Sequence, residues 1–261
     1  MRNFYKFFVL LVIVGCLISG CGGSGNLQDL RNQNIKKVAI ISVRSDTRMH
    51  SISRGGGSGL INMVQDIGKG SLEGDMAKKL KEKEEFFLYK LMEDIKAPLV
   101  KWVKSLNVEI YPVEKLAQSS TYKSIPITTS EDGIYYSIPP YRNIDQPKAE
   151  ALKDLCEKLG VDALVTFRTY FEREAYRDAF QIPFTPDYLK FFAKVDVMVF
   201  DKEGVTIYQQ RFEGVSPEII GYDKSKFQFS FDDPDMTRVI KKTVEVLKEN
   251  VEKSVKQVSA L

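Results

Sequence analysis

The 261-residue sequence predicts an α+β fold: a small mixed β-sheet packed by amphipathic helices and closed by a C-terminal helix. Three observations carry this. Apolar runs with strand character alternate with helical stretches through the first two thirds of the chain, which suits parallel strands joined by helical crossovers. Residues 189–200 and 205–212 flank Asp201-Lys202-Glu203-Gly204 as two arms of a hairpin, and Ala193, Val195, Val197 and Val199 alternate with Lys194, Asp196, Met198 and Phe200. Residues 235–259 carry the stripe Met236, Val239, Ile240, Thr243, Leu247, Val251 and Val255 at helical spacing.

The elements follow in chain order. Residues 38–43 are β-branched and apolar and predict a buried first strand. Residues 44–75 hold glycines at 55, 56, 57, 59, 68, 70 and 74 and read as a long mobile loop, with a short helix over 61–67. Met76, Leu80, Phe87, Leu91, Ile95, Leu99 and Val103 predict a helix over 76–106, broken or kinked near residue 97 by Pro98. A strand follows over 108–113. Asp132-Gly133 reads as a hairpin turn between 124–129 and 134–138. Asp145 is the expected cap of a helix with Pro147 in its first turn, with Ala151, Leu152, Leu155, Cys156 and Leu159 on its apolar side and Gly160 as its left-handed stop. A strand over 161–167 leads into the charged, aromatic residues 168–187, which have no clear pattern.

The N-terminus divides the chain. Arg2 and Lys6 precede an apolar core over 7–18 that is too short for a spanning helix of about 20 residues. Leu17-Ile18-Ser19-Gly20-Cys21 resembles the bacterial lipobox; Ile13-Val14-Gly15-Cys16 is a weaker second candidate. The resemblance implies lipidation of Cys21. The expected organisation is a signal peptide over 1–20, a lipidated cysteine and tether over 21–35, and one domain over 36–261. Gly22-Gly23-Ser24-Gly25-Asn26 and the polar run to Asn34 give a tether reaching roughly 43 Å when stretched, long enough to decouple the domain from the bilayer. Gly22 stands where Asp retains many lipoproteins at an inner membrane, so the expected location is an outer membrane facing the periplasm. Loss of Arg2 and Lys6 leaves the mature chain nearly neutral, which disfavours nucleic acid. Cys156 is its one unmodified thiol and has no disulfide partner.

The unit over 149–167, with Leu159-Gly160-Val161-Asp162-Ala163-Leu164-Val165 at its end, is similar to a segment of small periplasmic lipoprotein domains. That group contains the outer-membrane activators of penicillin-binding proteins, the curli-secretion lipoprotein and the amino-terminal domain of the Tol-system propeller protein. The resemblance covers 36–43 and 149–258 with gaps. It implies a binding or assembly role, without catalytic residues. The chain departs from the group in its long glycine-rich loop over 54–70 and in the insertion over 168–188. The long membrane hairpins of the curli pore are not evident, which favours a partner-binding domain over a pore.

Catalytic readings find little support in the residues. His50 is the single histidine, and Asp46 beside it lacks the further ligands a zinc site needs; it reads as a solvated loop residue. Ser51, Ser53 and Ser58 lie near it outside any G-x-S-x-G elbow. Gly68-Lys69-Gly70-Ser71 fails the phosphate-loop pattern because Met63 occupies the required glycine position. Asp94, Glu109, Asp132, Glu172 and Glu174 read as solvated charges; the alternative function is an envelope hydrolase using such carboxylates on a glycan or peptidoglycan. No cofactor or metal is expected. Tyr135, Tyr136, Tyr141, Tyr176, Phe180 and Phe184 are the candidate contact residues, since Tyr joins apolar area to a hydrogen-bonding end. The expected partner is an envelope protein or peptidoglycan-associated machinery, alongside the membrane reached through the N-terminal lipid; self-association is left open.

Overall fold

The computed structural model describes residues 30, 33–52, 74–127, 135–145, 147–176, 187–222 and 234–260. Its elements are β1 (Lys37–Ile52), α1 (Gly74–Ser105), β2 (Glu109–Ile110), α2 (Val113–Gln118), α3 (Ser120–Ser124), β3 (Tyr135–Ser137), α4 (Ala149–Leu159), β4 (Ala163–Tyr176), β5 (Asp187–Asp201), β6 (Thr206–Val215), β7 (Ile220–Tyr222) and α5 (Pro234–Ala260). They form the predicted α+β fold. The sheet runs β2-β1-β4-β5-β6, with β3 on β1 and β7 on β5. β1 lies parallel to both β2 and β4, and the β4–β5–β6 part is antiparallel. The sheet is therefore mixed, as helical crossovers followed by a hairpin require.

One face of the sheet is apolar and is covered by α1 and α5. Val38, Ile40, Val43, Val165, Phe167, Val195, Val197 and Val199 meet Leu91, Ile95, Leu99 and Trp102 of α1 and Val239, Ile240, Leu247 and Val251 of α5. A register shift between Ile40 and Ser42 lets Ile40 and Val43 face the same helices despite their odd spacing. Trp102 stacks on Tyr208 with ring centroids 5.9 Å apart, and its indole N–H donates to Ser254 Oγ at 3.1 Å. At Gly214 the sheet and α5 approach almost to backbone contact: an added Cβ would lie 2.6 Å from Leu247 N. Asn250 donates from the same helix to the Glu213 carbonyl at 2.8 Å.

The opposite face is covered at one end by α2, α3 and α4. Leu152, Leu155, Cys156 and Leu159 pack on Ala39, Ile41, Leu164 and Phe200. Gly160 adopts φ 62 and ψ 46, the left-handed stop that its sequence position predicts. Two residues on, Asp162 Oδ2 accepts the Lys36 and Lys37 N–H groups at 2.9 Å each, and Asp162 N donates to Lys37 O at 2.8 Å. Leu-Gly-Val-Asp thus ends a helix and clamps the start of β1 in consecutive residues.

Several elements differ from expectation. β1 runs on to Ile52, so His50 is a strand residue, in register with Glu172. The mobile loop expected over 44–75 gives way to strand as far as Ile52, and its remainder, with the helix expected over 61–67, falls mainly on residues 53–73, outside the described residues. α1 is not broken at Pro98, because packing of Ile95, Leu99 and Trp102 on the sheet outweighs the one lost hydrogen bond. The strand over 108–113 shrinks to Glu109–Ile110 before α2 begins. Ser124 ends a helix and β3 pairs with β1, so the predicted 124–138 hairpin does not form. Lys148, not Asp145, occupies the N-cap of α4; Asp145 instead pairs with the buried Arg44 guanidinium. Leu30, placed by sequence in the tether, is buried in the core at 3% exposure, and Ile35 packs beside it.

Candidate functional site

The part of the sheet's second face beyond α4 carries charge and aromatic rings in place of aliphatic residues. Strand alternation explains the arrangement. In β4 the residues after Phe167 send Arg168, Tyr170 and Glu172 to this face, while Phe171 joins the apolar core. β5 places Phe192, Lys194 and Asp196 beside them, and β6 adds Arg211 and Glu213. Cross-strand register sets Arg168, Asp196 and Arg211 in one row and Tyr170, Lys194 and Glu213 in the next.

Opposite charges meet along these rows. Lys194 Nζ lies 2.6 Å from Glu172 Oε2 and 3.7 Å from Glu213 Oε2. Its side chain is only 8% exposed and that of Glu172 13%, so both ions are largely out of water. Arg211 holds Asp196 through two bonds of 2.6 and 3.1 Å. Arg168 lies 3.6 Å from the buried Asp46. The Tyr170 ring is flanked by the cations of Arg168, Lys194 and Arg211, all within 5.9 Å. Burial, reinforced by Asp196, pushes the Tyr170 hydroxyl up to about 12, so it stays a neutral phenol at physiological pH. Among the described residues, Thr166 Oγ1 and Glu174 Oε2 are buried without a hydrogen-bond partner.

This arrangement corrects the reading of Glu172 and Glu174 as solvated carboxylates. Both are withdrawn from water, and Glu172 is committed to Lys194. Glu109 pairs with Lys37 at 3.0 Å, and Asp94 is exposed on α1. Asp132 lies outside the described residues.

A second polar network pins residues 138–145 to β1. The Tyr122 hydroxyl donates to Ile41 O at 2.7 Å and accepts from Arg142 N at 2.8 Å. Arg142 Nη1 also donates to Ile125 O at 2.8 Å, and Ser42 Oγ donates to Arg142 O at 3.0 Å. Desolvation raises the Tyr122 hydroxyl to about 12 despite Arg142 beside it.

The predicted contact residues do not gather in one place. Tyr135 and Tyr136 lie in β3, in register with Asp46 and Ser45. Tyr141 is half-buried against the apolar core, and burial raises its hydroxyl. Tyr176 ends β4 in register with Tyr188, several residues further along the sheet than β3. Tyr188 is exposed, as is Ile219 just before β7. Phe180, Phe184 and Cys21 lie outside the described residues. Sequence reading missed Arg168, Tyr170, Lys194 and Arg211 as one cluster, because only the register of β4, β5 and β6 brings them together. The Cys156 thiol is buried and raised to about 12, first by desolvation and then by Asp201, so it is an inert packing group.

No family model matches the chain, and no curated protein matches it. Solved structures that match include the hypothetical protein CT253 from Chlamydia trachomatis, 12% identical over 87% of this chain and 99% of that one, with a TM-score of 0.31. The lipoprotein GNA1162 from Neisseria meningitidis is 10% identical over 80% of this chain and 99% of its own, with a TM-score of 0.23. At these scores the likeness assigns neither fold nor function.

Proposed function

We propose that the chain is a membrane-anchored bacterial lipoprotein whose folded part is a non-enzymatic binding, scaffold or assembly module of the cell envelope. The observation that carries this reading is the basic start, short apolar core and Ile18-Ser19-Gly20-Cys21 ending of the first twenty-one residues. None of the described helices is long and apolar enough to cross a membrane, so a lipid on Cys21 would supply the attachment. One acyl chain holds weakly and two or more hold firmly. Gly22 favours the outer membrane, facing the periplasm. The grouping with penicillin-binding-protein activators and their relatives rests on the Leu159–Asp162 motif and the hairpin that follows β4.

A binding role accords with how the charges are used. Glu172 and Asp196 are each engaged by a cation, Lys194 and Arg211, in ion pairs that tie neighbouring strands together. Tyr176, Tyr188 and Ile219 lie at the end of the sheet where β5 begins, and the exposed Tyr188 and Ile219 offer apolar area to an envelope protein.

Intact mass of the protein from native membranes is expected to show a chain beginning at an acylated Cys21, and Cys21→Ser is expected to release it into the soluble fraction. An unmodified chain beginning at Met1 would overturn the reading. Crosslinking in intact envelopes separates module from enzyme: a defined protein adduct lost in Tyr188→Ala/Ile219→Ala supports the module. Glycan or peptidoglycan hydrolysis abolished by one carboxylate substitution, with no partner needed, would install the hydrolase alternative.

A further inference from the structure

The two edges of the sheet are finished differently. On one side the sheet ends in the short pieces β2 and β3, with α2 following soon after β2. Short edge strands offer little for another chain to pair with. On the other side lies β6, ten residues long, and among the described residues no strand runs along its outer side.

Two hydrogen bonds show how β6 is turned. Ser216 N donates to Phe191 O at 2.9 Å, so the even-numbered residues of this run direct their backbone groups to β5. The Glu213 carbonyl points the other way, where it accepts from Asn250 Nδ2 of α5 at 2.8 Å. By alternation, the N–H and C=O groups of Gln209 and Arg211 and the N–H of Glu213 also face outward, with no strand among the described residues to receive them. Gln209 and Arg211 are exposed and Glu213 is half-buried. The usual guards of an edge are missing as well. Thr206–Val215 contains no Pro and no Lys, and its pairing with β5 is regular from Tyr208 onward.

The charges along this edge are complementary to themselves. Antiparallel pairing of β6 with β6 of a second copy, about a two-fold axis at Phe212, sets Arg211 of each copy opposite Glu213 of the other. The row Arg168, Asp196, Arg211 then runs on into Glu213 and Lys194 of the second copy, so the signs alternate from one sheet into the next without a break. Both side chains have capacity to spare. Arg211 binds Asp196 through Nε and Nη2, which leaves Nη1 without a partner among the described residues, and Lys194 approaches Glu213 only to 3.7 Å. Other registers that pair the outward groups lose the match: an axis at Arg211 sets two arginines together, and one at Gln210 sets Arg211 opposite Gln209. α5 completes the surface. The flank that carries Asn250 to the edge also carries Val246 one turn before it and Gln257 two turns after it, both uncharged, whereas the exposed Glu245, Glu249 and Lys256 lie on its solvent side.

We infer that β6 is the dimer edge of this protein: two copies join β6 to β6, antiparallel about Phe212, into one continuous sheet with α5 beside α5. The pairing is isologous, so the same patch serves both partners and the assembly closes at two copies. The inference goes beyond the lipoprotein reading and does not depend on it; together the two give each assembly a pair of lipid anchors.

The test uses the full mature protein in detergent micelles, spin-labelled at Lys202→Cys in the exposed β5–β6 turn; Cys156 is buried and takes no label. Sedimentation is expected to show a dimer, and the distance between labels is expected to be about 45 Å, the span of roughly fourteen strand residues. A distance of about 33 Å would put the axis at Gln210 and overturn the Arg211–Glu213 pairing. Gln209→Pro removes an outward N–H without taking a bond from β5, and Gln209→Lys puts a charge on the edge. Each is expected to weaken the dimer about tenfold, with an unchanged far-ultraviolet dichroism spectrum to show that the variant is folded. A chain that stays monomeric at every concentration, or a dimer that both variants leave intact, overturns the inference. Capture of an extended peptide by a monomeric chain overturns the second copy as occupant and assigns the edge to another protein. An intact mass without an acyl group overturns the lipoprotein reading alone.

Discussion

The two faces of the sheet solve the same burial problem with different chemistry. Under α1 and α5, Val195, Val197 and Val199 meet aliphatic and aromatic side chains, and their own contacts are non-directional. On the reverse, the alternate residues of the same strand are Lys194, Asp196 and Met198, where stability depends on each ion keeping its partner. One strand thus carries two kinds of tolerance. The apolar side accepts changes that conserve volume, whereas the charged side accepts changes made in matched pairs.

The sharpest way to break this contrast is at Trp102, fully buried between Tyr208, Phe212 and α5. Trp102→Ala is expected to cost about 4 kcal/mol in urea unfolding, from lost area and an unfilled cavity, whereas Trp102→Phe recovers much of it. A loss below about 1 kcal/mol would mean that α1 is not fixed on the sheet as described.

On the charged face, Lys194→Ala is expected to cost about 3 kcal/mol because Glu172 is left buried without its cation. Lys194→Met combined with Glu172→Leu is expected to be close to wild type. If single and double substitutions cost the same, the pair is not coupled and the contrast between the faces fails.

The smallest effect touches both faces. Tyr208 on the apolar side and Tyr122 and Tyr170 on the other are each raised by burial to about 12 from an ordinary value of 10.0. Between those values the unfolded chain gives up protons that the folded chain retains. The stability these groups contribute is complete below about pH 10 and is lost as pH rises toward about 12. A urea midpoint that stays level across that window would contradict the burial of these hydroxyls.

The apolar face was legible in the sequence because its patterns are periodic: the 3.6-residue stripe of α5 and the two-residue alternation of β5 survive intact in the structure. The Gly160 stop was legible for an equally local reason. The charged face was not. Arg168, Tyr170, Glu172 and Glu174 show no clear pattern until β1 and β5 are placed on either side of them, and only cross-strand register supplies Lys194 and Arg211 as partners. The extension of β1 beyond Val43 and the continuity of α1 through Pro98 depend likewise on distant packing. Asp145 met the local rule for a helix cap, but a long-range ion pair with Arg44 claimed it.

The placement of β1 at the junction of the sheet also governs how the chain reaches this state. It is synthesised first, yet its neighbours β2 and β4 begin at Glu109 and Ala163, and the bond closing its start joins residues 126 positions apart. Loop closure over such distances precedes any reward from pairing, so folding is expected to be slow relative to a helical protein of this size. Throughout that interval Val38, Ile40, Ile41 and Val43 form a bare β-prone segment of the kind that recruits other chains. The arrangement that seats β1 between β2, β3 and β4 in the native domain therefore leaves it exposed in the nascent one, and a holding chaperone would find its natural grip there.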